Sequence, residues 1–171
     1  CESEHIDAVM RAQDRMEALI SDLLALASQG QAIDEMERIN LAELARKCWA
    51  NVATDDATRH INAEQTIRCD RSRLQQLLEN LMRNAIDHGT ADLTVTVGML
   101  EDGFYIADDG PGIAEHEREQ LFDAGYSTRE DGTGFGLSIV KQIVEAHGWS
   151  ISVGESEAGG ARFEITGVEK V

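Results

Sequence analysis

The chain of 171 residues is poor in proline, cysteine, lysine and aromatic residues, with one proline and three cysteines. An odd number of widely spaced cysteines provides neither a disulfide framework nor a zinc-binding knuckle. Cys48 falls in a predicted helix and Cys69 at the end of a predicted strand, where buried thiols behave as small hydrophobic groups. This cysteine usage predicts a reducing, cytoplasmic location.

The sequence also has no apolar run that approaches the roughly 20 residues of a membrane-spanning helix. Its N-terminus lacks the basic stretch followed by an apolar stretch that marks a signal peptide. We therefore expect no direct membrane contact by this chain, although a longer parent protein could be attached to a membrane. Hydrophobic residues make up 42% of the sequence, which is enough to build a core and argues against disorder.

Positive charge is scarce, because 32 acidic side chains stand against 15 basic ones and the net charge is −17. Such a surface repels phosphate backbones, so nucleic acid is not expected as a partner. Only Lys47, Lys141 and Lys170 are lysines. An acidic, lysine-poor surface suits a salt-rich cytoplasm, and we hypothesise a halophilic, archaeal source. The alternative is an acidic protein from an ordinary cell.

The N-terminal segment from Glu4 to Ser28 is predicted to form one long helix, without glycine or proline. Its apolar residues recur at spacings of three and four: Ile6, Val9, Met10, Met16, Leu19, Ile20, Leu23, Leu24 and Ala27. About 25 residues span roughly 37 Å, which is long for a helix that only covers a small domain. We expect a homodimer through this helix. The alternative is a helix folded back on its own domain.

A polar joint at residues 29–37 predicts a boundary between an N-terminal helix, residues 1–29, and a domain at 30–171. Within that domain, periodicity predicts helices at about 41–52, 70–88 and 136–147. Strands are expected around 59–61, 66–69, 93–99, 104–108, 151–153 and 163–165. Strands that mostly neighbour in sequence, with helices to one side, predict an α+β fold. We expect a two-layer sandwich with a mixed sheet covered by helices on one face.

The predicted helix 70–88 carries two asparagines beside its apolar stripe. Asn80 and Asn84 are four residues apart, so they lie one above the other on the same side of the helix. Asparagine is unfavourable inside helices, so two asparagines on the same side of one helix suggest a functional role. An amide oxygen is a suitable ligand for Mg²⁺. The alternative is a pair of solvated or mutually bonded amides.

A second feature is Asp108, followed by Gly110 and Gly112. Asp108 shares a strand face with Phe104 and Ile106, which would deliver its carboxylate to the inner end of a pocket. A buried carboxylate requires a hydrogen-bond donor, and the exocyclic amine of adenine would be one. The glycines allow a sharp turn and the close approach of a flat ring. The alternative is an acidic turn after a strand.

The third feature is a glycine run at residues 132–137 that opens a predicted helix. Exposed backbone N–H groups and the helix dipole make phosphate the expected ligand of such a segment. The dinucleotide-binding fingerprint does not apply, because the preceding residues 126–131 form a polar loop and not a strand. The phosphate-loop signature also fails, since no Gly-Lys-Ser/Thr sequence is present in the run.

Taken in this order, the three features resemble the ATP-binding family shared by histidine kinases, type II topoisomerases, ninety-kilodalton heat-shock chaperones and mismatch-repair proteins. The histidine-kinase branch fits best over about residues 39–167. Residues 78–85 resemble its asparagine box, 108–113 its first glycine box, Leu121-Phe122 its phenylalanine box and 132–137 its second glycine box. Residues 15–27 resemble the second helix of its dimerisation and phosphotransfer hairpin.

The resemblance implies ATP and Mg²⁺ as cofactors on a Bergerat-type fold, with residues 123–135 as a lid. Asn84 would hold Mg²⁺, Asp108 would bind the adenine amine, and Asn80 and Asn84 would form the catalytic pair. The remaining nucleotide contacts implied by the family boxes are listed here: Asp87, His88, Gly110, Gly112, Ile113, Thr128, Arg129, Gly132, Thr133, Gly134, Phe135, Gly136 and Leu137.

Asn80 bears on the reaction. Related ATPases that hydrolyse ATP with water place a glutamate base one turn before the metal-binding asparagine, whereas the amide of Asn80 cannot take a proton. The γ-phosphoryl group is therefore expected to pass to a histidine, and then to an aspartate in the receiver domain of a response regulator. Such a transfer depends on positioning and charge neutralisation.

Several positions depart from the family pattern. Asp87 stands where the branch often has lysine, and Arg129 is the candidate for a compensating cation. His88 either contacts nucleotide or caps its helix. His5 is a poor match for the phosphorylated histidine, so the acceptor is expected outside this chain. The alternatives are a serine kinase of the anti-sigma-factor type and a non-catalytic nucleotide-binding scaffold that dimerises.

Overall fold

The computed structural model describes residues 2–29, 33, 35–52, 56–89, 92–123 and 135–171. Five of the candidate nucleotide contacts, Thr128, Arg129, Gly132, Thr133 and Gly134, lie outside these ranges, and so does most of the expected lid. Within the described ranges, no helix has both the length and the apolar character needed to cross a membrane.

The predicted helices and strands form in the expected order, and two further elements, at 37–40 and 115–118, were not predicted. The helices are α1 (Glu2–Gln29), α2 (Leu41–Asn51), α3 (Arg71–His88), α4 (Glu115–Arg118) and α5 (Gly136–Ala146). The strands are β1 (Glu37–Asn40), β2 (Thr58–Asn62), β3 (Thr66–Cys69), β4 (Thr94–Leu100), β5 (Gly103–Asp108), β6 (Ser150–Glu155) and β7 (Ala161–Thr166).

The ends of α3 are set by local chemistry. Asp70 is its N-cap, and the Asp70 carboxylate accepts a hydrogen bond from the backbone N–H of Arg73 at 3.1 Å. Gly89 ends the helix, as its position in the sequence predicts. Between these residues the apolar stripe is buried, and Leu74, Leu77 and Leu78 have no exposed surface. The helix therefore packs one face against the sheet and leaves the Asn80–Asn84 line at its flank.

The main sheet of the described residues has five strands in the order β2-β4-β5-β7-β6. Strand β2 is parallel to β4, and the other neighbours are antiparallel, so the sheet is mixed as expected. Val95 and Val97 are buried in β4 while Thr94 and Thr96 between them are half-buried. Leu93, predicted to start β4, lies just before it, and its buried side chain lies beside Gly89 and Gly110.

Helices α2, α3 and α5 cover one face of this sheet, and the core lies between the two layers. Phe104 of β5 is fully buried there, with its ring edge-on to Trp149 at 6.4 Å. On the opposite face, the Arg162 guanidinium lies 3.8 Å over the ring of Tyr105. The predicted two-layer α+β sandwich with helices on one face is confirmed.

Strands β1 and β3 form a small antiparallel sheet that the sequence analysis did not anticipate. The C-terminal residues extend it, because Ile67 of β3 forms a bridge with Lys170. The Lys170 ammonium group donates to the backbone carbonyls of Leu100 and Glu101, at the turn between β4 and β5. This contact joins the small sheet to the main one.

Both described cysteines are buried in this core as free thiols, as predicted. Cys48 lies in α2 and Cys69 at the end of β3. Burial is the main cause that raises the pKa of each thiol to about 12. Both therefore behave as small hydrophobic groups at neutral pH.

Helix α1 combines two environments. Near its C-terminal end, Ala25 is buried and Leu26 packs against the core, where α1 contacts α5. Most of its apolar stripe is open to solvent, with Val9 65%, Met16 62% and Leu23 47% exposed, and Leu19 is half-buried. One end of the helix thus packs on its own domain, while most of the stripe is available to a partner.

Candidate functional site

The site is organised around the carboxylate of Asp108, at the end of β5. Its Oδ1 accepts hydrogen bonds from the backbone N–H of Gly110 at 3.0 Å and of Ala161 at 3.2 Å. Within the described part of the chain, no hydrogen bond falls on Oδ2. A carboxylate fixed through one oxygen can use the other to bind a ligand donor.

Several groups act on the pKa of Asp108, and the net effect raises it above its usual value. Burial is the largest cause, because it disfavours the charged form. The two backbone N–H groups act in the opposite direction. Asp109 raises the pKa further, whereas the nearby charge of His88 lowers it. The expected contact residue His88, at the end of α3, is therefore electrostatically close to Asp108.

The backbone after Asp108 passes through a narrow space. A Cβ atom at Gly110 would lie 3.1 Å from Asp108 Oδ1 and 3.3 Å from the Leu93 side chain. Gly112 has a φ of 77°, and a Cβ atom there would lie 2.9 Å from the carbonyl oxygen of Gly159. Glycine is therefore required at 112, and a side chain at 110 would need Asp108 and Leu93 to shift by a few tenths of an ångström.

The residues after these glycines anchor the segment to the core. Ile113 packs against the core, and its carbonyl oxygen accepts a hydrogen bond from Arg118 Nε at 3.3 Å. The ring of Phe122 is edge-on to that of Phe163 in β7, with the centroids 6.4 Å apart. Phe122, expected in the phenylalanine box, thus holds the chain to the sheet immediately before residues 124–134.

The turn between β6 and β7 is part of the site, and the sequence analysis did not predict this. Ser156 Oγ donates to the carbonyl oxygen of Asp108 at 2.7 Å and accepts from the backbone N–H of Gly160 at 2.9 Å. The Ala-Gly-Gly sequence does predict a turn at 158–160. Nothing local in the sequence indicates that the turn packs on a strand end some 48 residues earlier.

The asparagine line of α3 lies beside the start of α5. Asn80 is only 8% exposed, and its Oδ1 accepts a hydrogen bond from Arg83 Nη1 at 3.3 Å. A Cβ atom at Gly136 would lie 3.8 Å from the same oxygen. Asn84, one turn further along, is half-buried. The structure thus places Asn80 of the expected catalytic pair beside the start of the expected phosphate-binding helix.

The first turn of α5 is suited to an anion. Phe135 is its N-cap and Gly136 its first residue, and the turn contains no acidic side chain that would neutralise the helix dipole. Phe135 and Leu137 pack against the core, and Ser138 Oγ donates to the carbonyl oxygen of Phe135 at 2.8 Å. Asp87, in contrast, is exposed at the opposite end of α3 from its N-cap.

Comparison with known proteins gives the same family as these residues. The model of the histidine kinase-, DNA gyrase B- and HSP90-like ATPases matches residues 69–168. The sensor histidine kinase ZraS of Salmonella typhi is 33% identical over 177 residues, which cover 96% of this chain and 38% of ZraS. The chain thus spans less than half the length of this relative.

Solved structures are also similar. Full-length ShkA in complex with AMPPNP superposes with a TM-score of 0.78 at 26% identity, over 99% of this chain and 39% of that one. The nucleotide-free catalytic domain of the histidine kinase ThkA superposes with a TM-score of 0.65 at 27% identity, over 80% of this chain and 95% of that domain. The chain therefore belongs to the histidine kinase-, DNA gyrase B- and HSP90-like ATPase family, as a homologue of the ATP-binding catalytic region of sensor histidine kinases.

Proposed function

We propose that this chain binds ATP with Mg²⁺ and transfers the γ-phosphoryl group to a histidine outside the chain, from which it passes to an aspartate of a response-regulator receiver domain. The observation that carries the proposal is the carboxylate of Asp108. It is held through Oδ1 at the end of a strand, which leaves Oδ2 for a ligand donor. The similarity to ShkA, a structure in complex with AMPPNP, supports nucleotide binding by this fold.

The adenine amine would bind Asp108 Oδ2, because that oxygen faces no donor among the described residues and a half-buried carboxylate gains from one. Gly110 and Gly112 would set the backbone path that holds Asp108 beside the ring, because a Cβ atom at either would meet Asp108 or the β6–β7 turn. His88 is the further described candidate, since its charge already acts on Asp108.

The phosphates would extend from Asp108 toward the gap between α3 and α5. The N-terminal end of α5 would stabilise their charge through its dipole and its first-turn N–H groups, which the side chain of the N-cap Phe135 does not cap. Asn84 supplies a half-buried amide oxygen on the adjacent face of α3, which fits a magnesium ligand that leaves most of the metal's waters in place. Mg²⁺, when bound there, would neutralise phosphate charge and orient the γ-phosphoryl group.

Asn80 supports transfer to an imidazole over transfer to water. Its buried amide accepts a hydrogen bond from Arg83 and lies next to Gly136, where a catalytic base for water would have to act. An amide cannot remove a proton from water. With a histidine as nucleophile, the bond from the γ-phosphorus to ADP breaks as the bond to the imidazole nitrogen forms, and no water has to be activated.

Helix α1 would bring the acceptor within reach. Its exposed stripe provides an apolar surface for the same helix of a second copy, and Leu26 fixes its C-terminal end to the domain. We propose a homodimer assembled through α1, operating in the cytoplasm. The boundary between residues 1–29 and 30–171 is part of the same proposal.

Calorimetry with ATP, with and without Mg²⁺, tests binding directly, and radiolabelled ATP with an added acceptor-helix protein tests transfer. Asn84→Ala should abolish Mg²⁺-dependent transfer, whereas Asn62→Ala, an exposed asparagine of β2, should leave it unchanged. Label on a histidine of the acceptor supports the proposal. Binding without transfer supports a nucleotide-binding scaffold instead, and the absence of any ATP binding overturns both.

A further inference from the structure

We propose that Ser156 is a positioning residue for adenine recognition, which acts through Asp108 without touching the nucleotide. This inference rests on the proposed function, because it requires that Asp108 accept the adenine amine. Ser156 lies in the turn between β6 and β7, and it is buried, with 9% of its surface exposed. Its hydroxyl group joins that turn to the end of β5.

The hydroxyl is the side-chain link in this contact. It donates to the carbonyl oxygen of Asp108 at 2.7 Å and accepts from the N–H of Gly160 at 2.9 Å. The turn itself is closed by its own backbone, since Ser156 N–H donates to Gly160 O at 2.7 Å and Gly159 N–H donates to Ser156 O at 3.0 Å. Removal of the hydroxyl would therefore leave the turn formed but remove its link to the backbone of Asp108.

The turn must lie very close to Asp108 for this contact to form. A Cβ atom at Gly160 would lie 2.1 Å from the carbonyl oxygen of Asp108 and 2.4 Å from its Oδ1. The next residue, Ala161, donates its N–H to that same Oδ1 at 3.2 Å. The turn thus holds Asp108 by its backbone through Ser156 and by its side chain through Ala161.

Loss of the hydroxyl leaves two buried polar groups without their present partner, the carbonyl oxygen of Asp108 and the N–H of Gly160. Each can be satisfied again only if the turn moves away from β5 and admits water. Such a movement lengthens the bond from Ala161 to Oδ1, which is one of two that orient the carboxylate. Asp108 then rotates more freely.

Free rotation of the Asp108 carboxylate affects the recognition of the purine ring at the position of the adenine amine. Adenine presents an amine, a donor, to Asp108, whereas hypoxanthine presents a carbonyl oxygen at the same ring position. A fixed carboxylate binds the amine of adenine and repels the carbonyl oxygen of hypoxanthine. This selectivity depends on how accurately the buried carboxylate is positioned. The ratio of the affinities for ATP and inosine triphosphate therefore reports the role of Ser156.

The experiment measures both dissociation constants by calorimetry with Mg²⁺, together with thermal unfolding, for the wild-type chain and four variants. Ser156→Ala removes the hydroxyl, Ser156→Cys replaces it by a thiol of similar shape and weak hydrogen bonding, and Ser156→Thr keeps it. Ser152→Ala, an exposed serine of β6, is the control. We expect Ser156→Ala and Ser156→Cys to weaken ATP binding by about tenfold with little change for inosine triphosphate. Ser156→Thr and Ser152→Ala should keep the wild-type ratio.

Each result distinguishes the inference from the function it rests on. If the wild-type chain binds neither nucleotide, the proposed function is wrong. If it prefers ATP, and Ser156→Ala lowers both affinities equally or changes neither, Ser156 has only a structural role and the inference is overturned. Should Ser156→Ala unfold, the same comparison is made with Ser156→Cys, for which an unchanged ratio is equally decisive.

Discussion

The imidazole ring of His147 accepts a hydrogen bond from the backbone N–H of Asp70, with Nε2 and the nitrogen 3.0 Å apart. Nε2 is thus unprotonated, and Nδ1 carries the proton that it donates to the carbonyl oxygen of Ile143 at 2.8 Å. The ring also stacks on Trp149 at 4.1 Å. The hydrogen bond between Asp70 and His147 joins the end of α5 to the start of α3. At the start of α5, Gly136 lies beside Asn80 of α3.

The first prediction concerns pH. Burial lowers the pKa of His147 from its ordinary value of 6.5, and Arg73 lowers it further, whereas the bond to Ile143 and the charge of Asp70 oppose this shift. A histidine with a lowered folded pKa favours the native state above pH 6.5, and this stabilisation is lost as the pH falls through the folded pKa. Urea unfolding should therefore show a free energy of unfolding that declines as the pH falls below about 6.5 and through the folded pKa of His147.

His147→Gln removes the titrating group and should flatten this decline. The raised pKa of Asp108 changes the free energy of unfolding in the opposite direction at lower pH. Asp108 is present in both the wild type and the variant, so its contribution cancels when the two free energies are subtracted. Parallel curves for the two proteins would contradict the assignment of the decline to His147.

The second prediction concerns Asp108→Asn. The amide keeps an oxygen for the N–H groups of Gly110 and Ala161, so the fold should be retained. At the Oδ2 position the variant then presents an NH₂ group to the adenine amine, and ATP affinity should fall between about tenfold and a hundredfold. Calorimetry measures the change, with the exposed turn residue Asp102, substituted by asparagine, as control. Equal losses of ATP affinity in both variants would show that the effect comes from the change in net charge.

The third prediction compares two glycines of the same hairpin. Gly160→Ala places a methyl group 2.1 Å from the carbonyl oxygen of Asp108, and we expect a loss of roughly 1–3 kcal/mol or more in the free energy of unfolding. Gly154→Ala meets nothing within 4 Å and should change it by less than about 0.5 kcal/mol. Equal stabilities in urea titrations would show that the turn does not pack on Asp108.

The fourth prediction concerns the dimer. Val9→Glu combined with Met16→Glu should convert the proposed homodimer to monomer in sedimentation experiments, because it places charge in the apolar stripe. The thermal midpoint of the catalytic region should stay unchanged, since both side chains are more than half exposed on a single chain. Ala18→Glu, on the opposite side of α1 from Met16, is the control. A wild-type chain that sediments as monomer at all concentrations would exclude assembly through α1.

The fifth prediction tests the halophile hypothesis. With a net charge of −17, the folded chain repels itself, and salt screens this repulsion. A halophilic protein should unfold on transfer from molar potassium chloride to dilute buffer, with loss of its far-ultraviolet circular dichroism. Full stability in dilute buffer would support the alternative, an acidic protein from an ordinary cell.

Sequence alone predicted the features whose causes are local. Asp70 and Gly89 delimit α3 because a carboxylate satisfies the first-turn N–H groups and a glycine readily interrupts the helix. The buried positions of β4 alternate as a half-buried strand requires. Asp108 was assigned correctly to the buried face at the end of β5, since its face follows from the same alternation.

Contacts between distant segments could not be predicted in this way. The turn at Ser156 packs on Asp108, and His147 packs on Asp70 at a separation of 77 residues, because strand order and helix packing bring them together. The pairing of β1 with β3 depends on the same assembly. Polar residues such as Ser156 resemble ordinary turn residues until the strand beneath the turn is known.

The reactivity of the two buried thiols, Cys48 and Cys69, reports local opening of the domain. At a pKa of about 12, and enclosed by packed side chains, Cys48 and Cys69 cannot react with an alkylating reagent while α2 and β3 stay in place. In a Cys1→Ser background, the labelling rate of Cys48 therefore measures how often α2 opens, and that of Cys69 how often β3 opens. Nucleotide that slows labelling at one cysteine and not at the other would map which part of the core the bound state makes rigid.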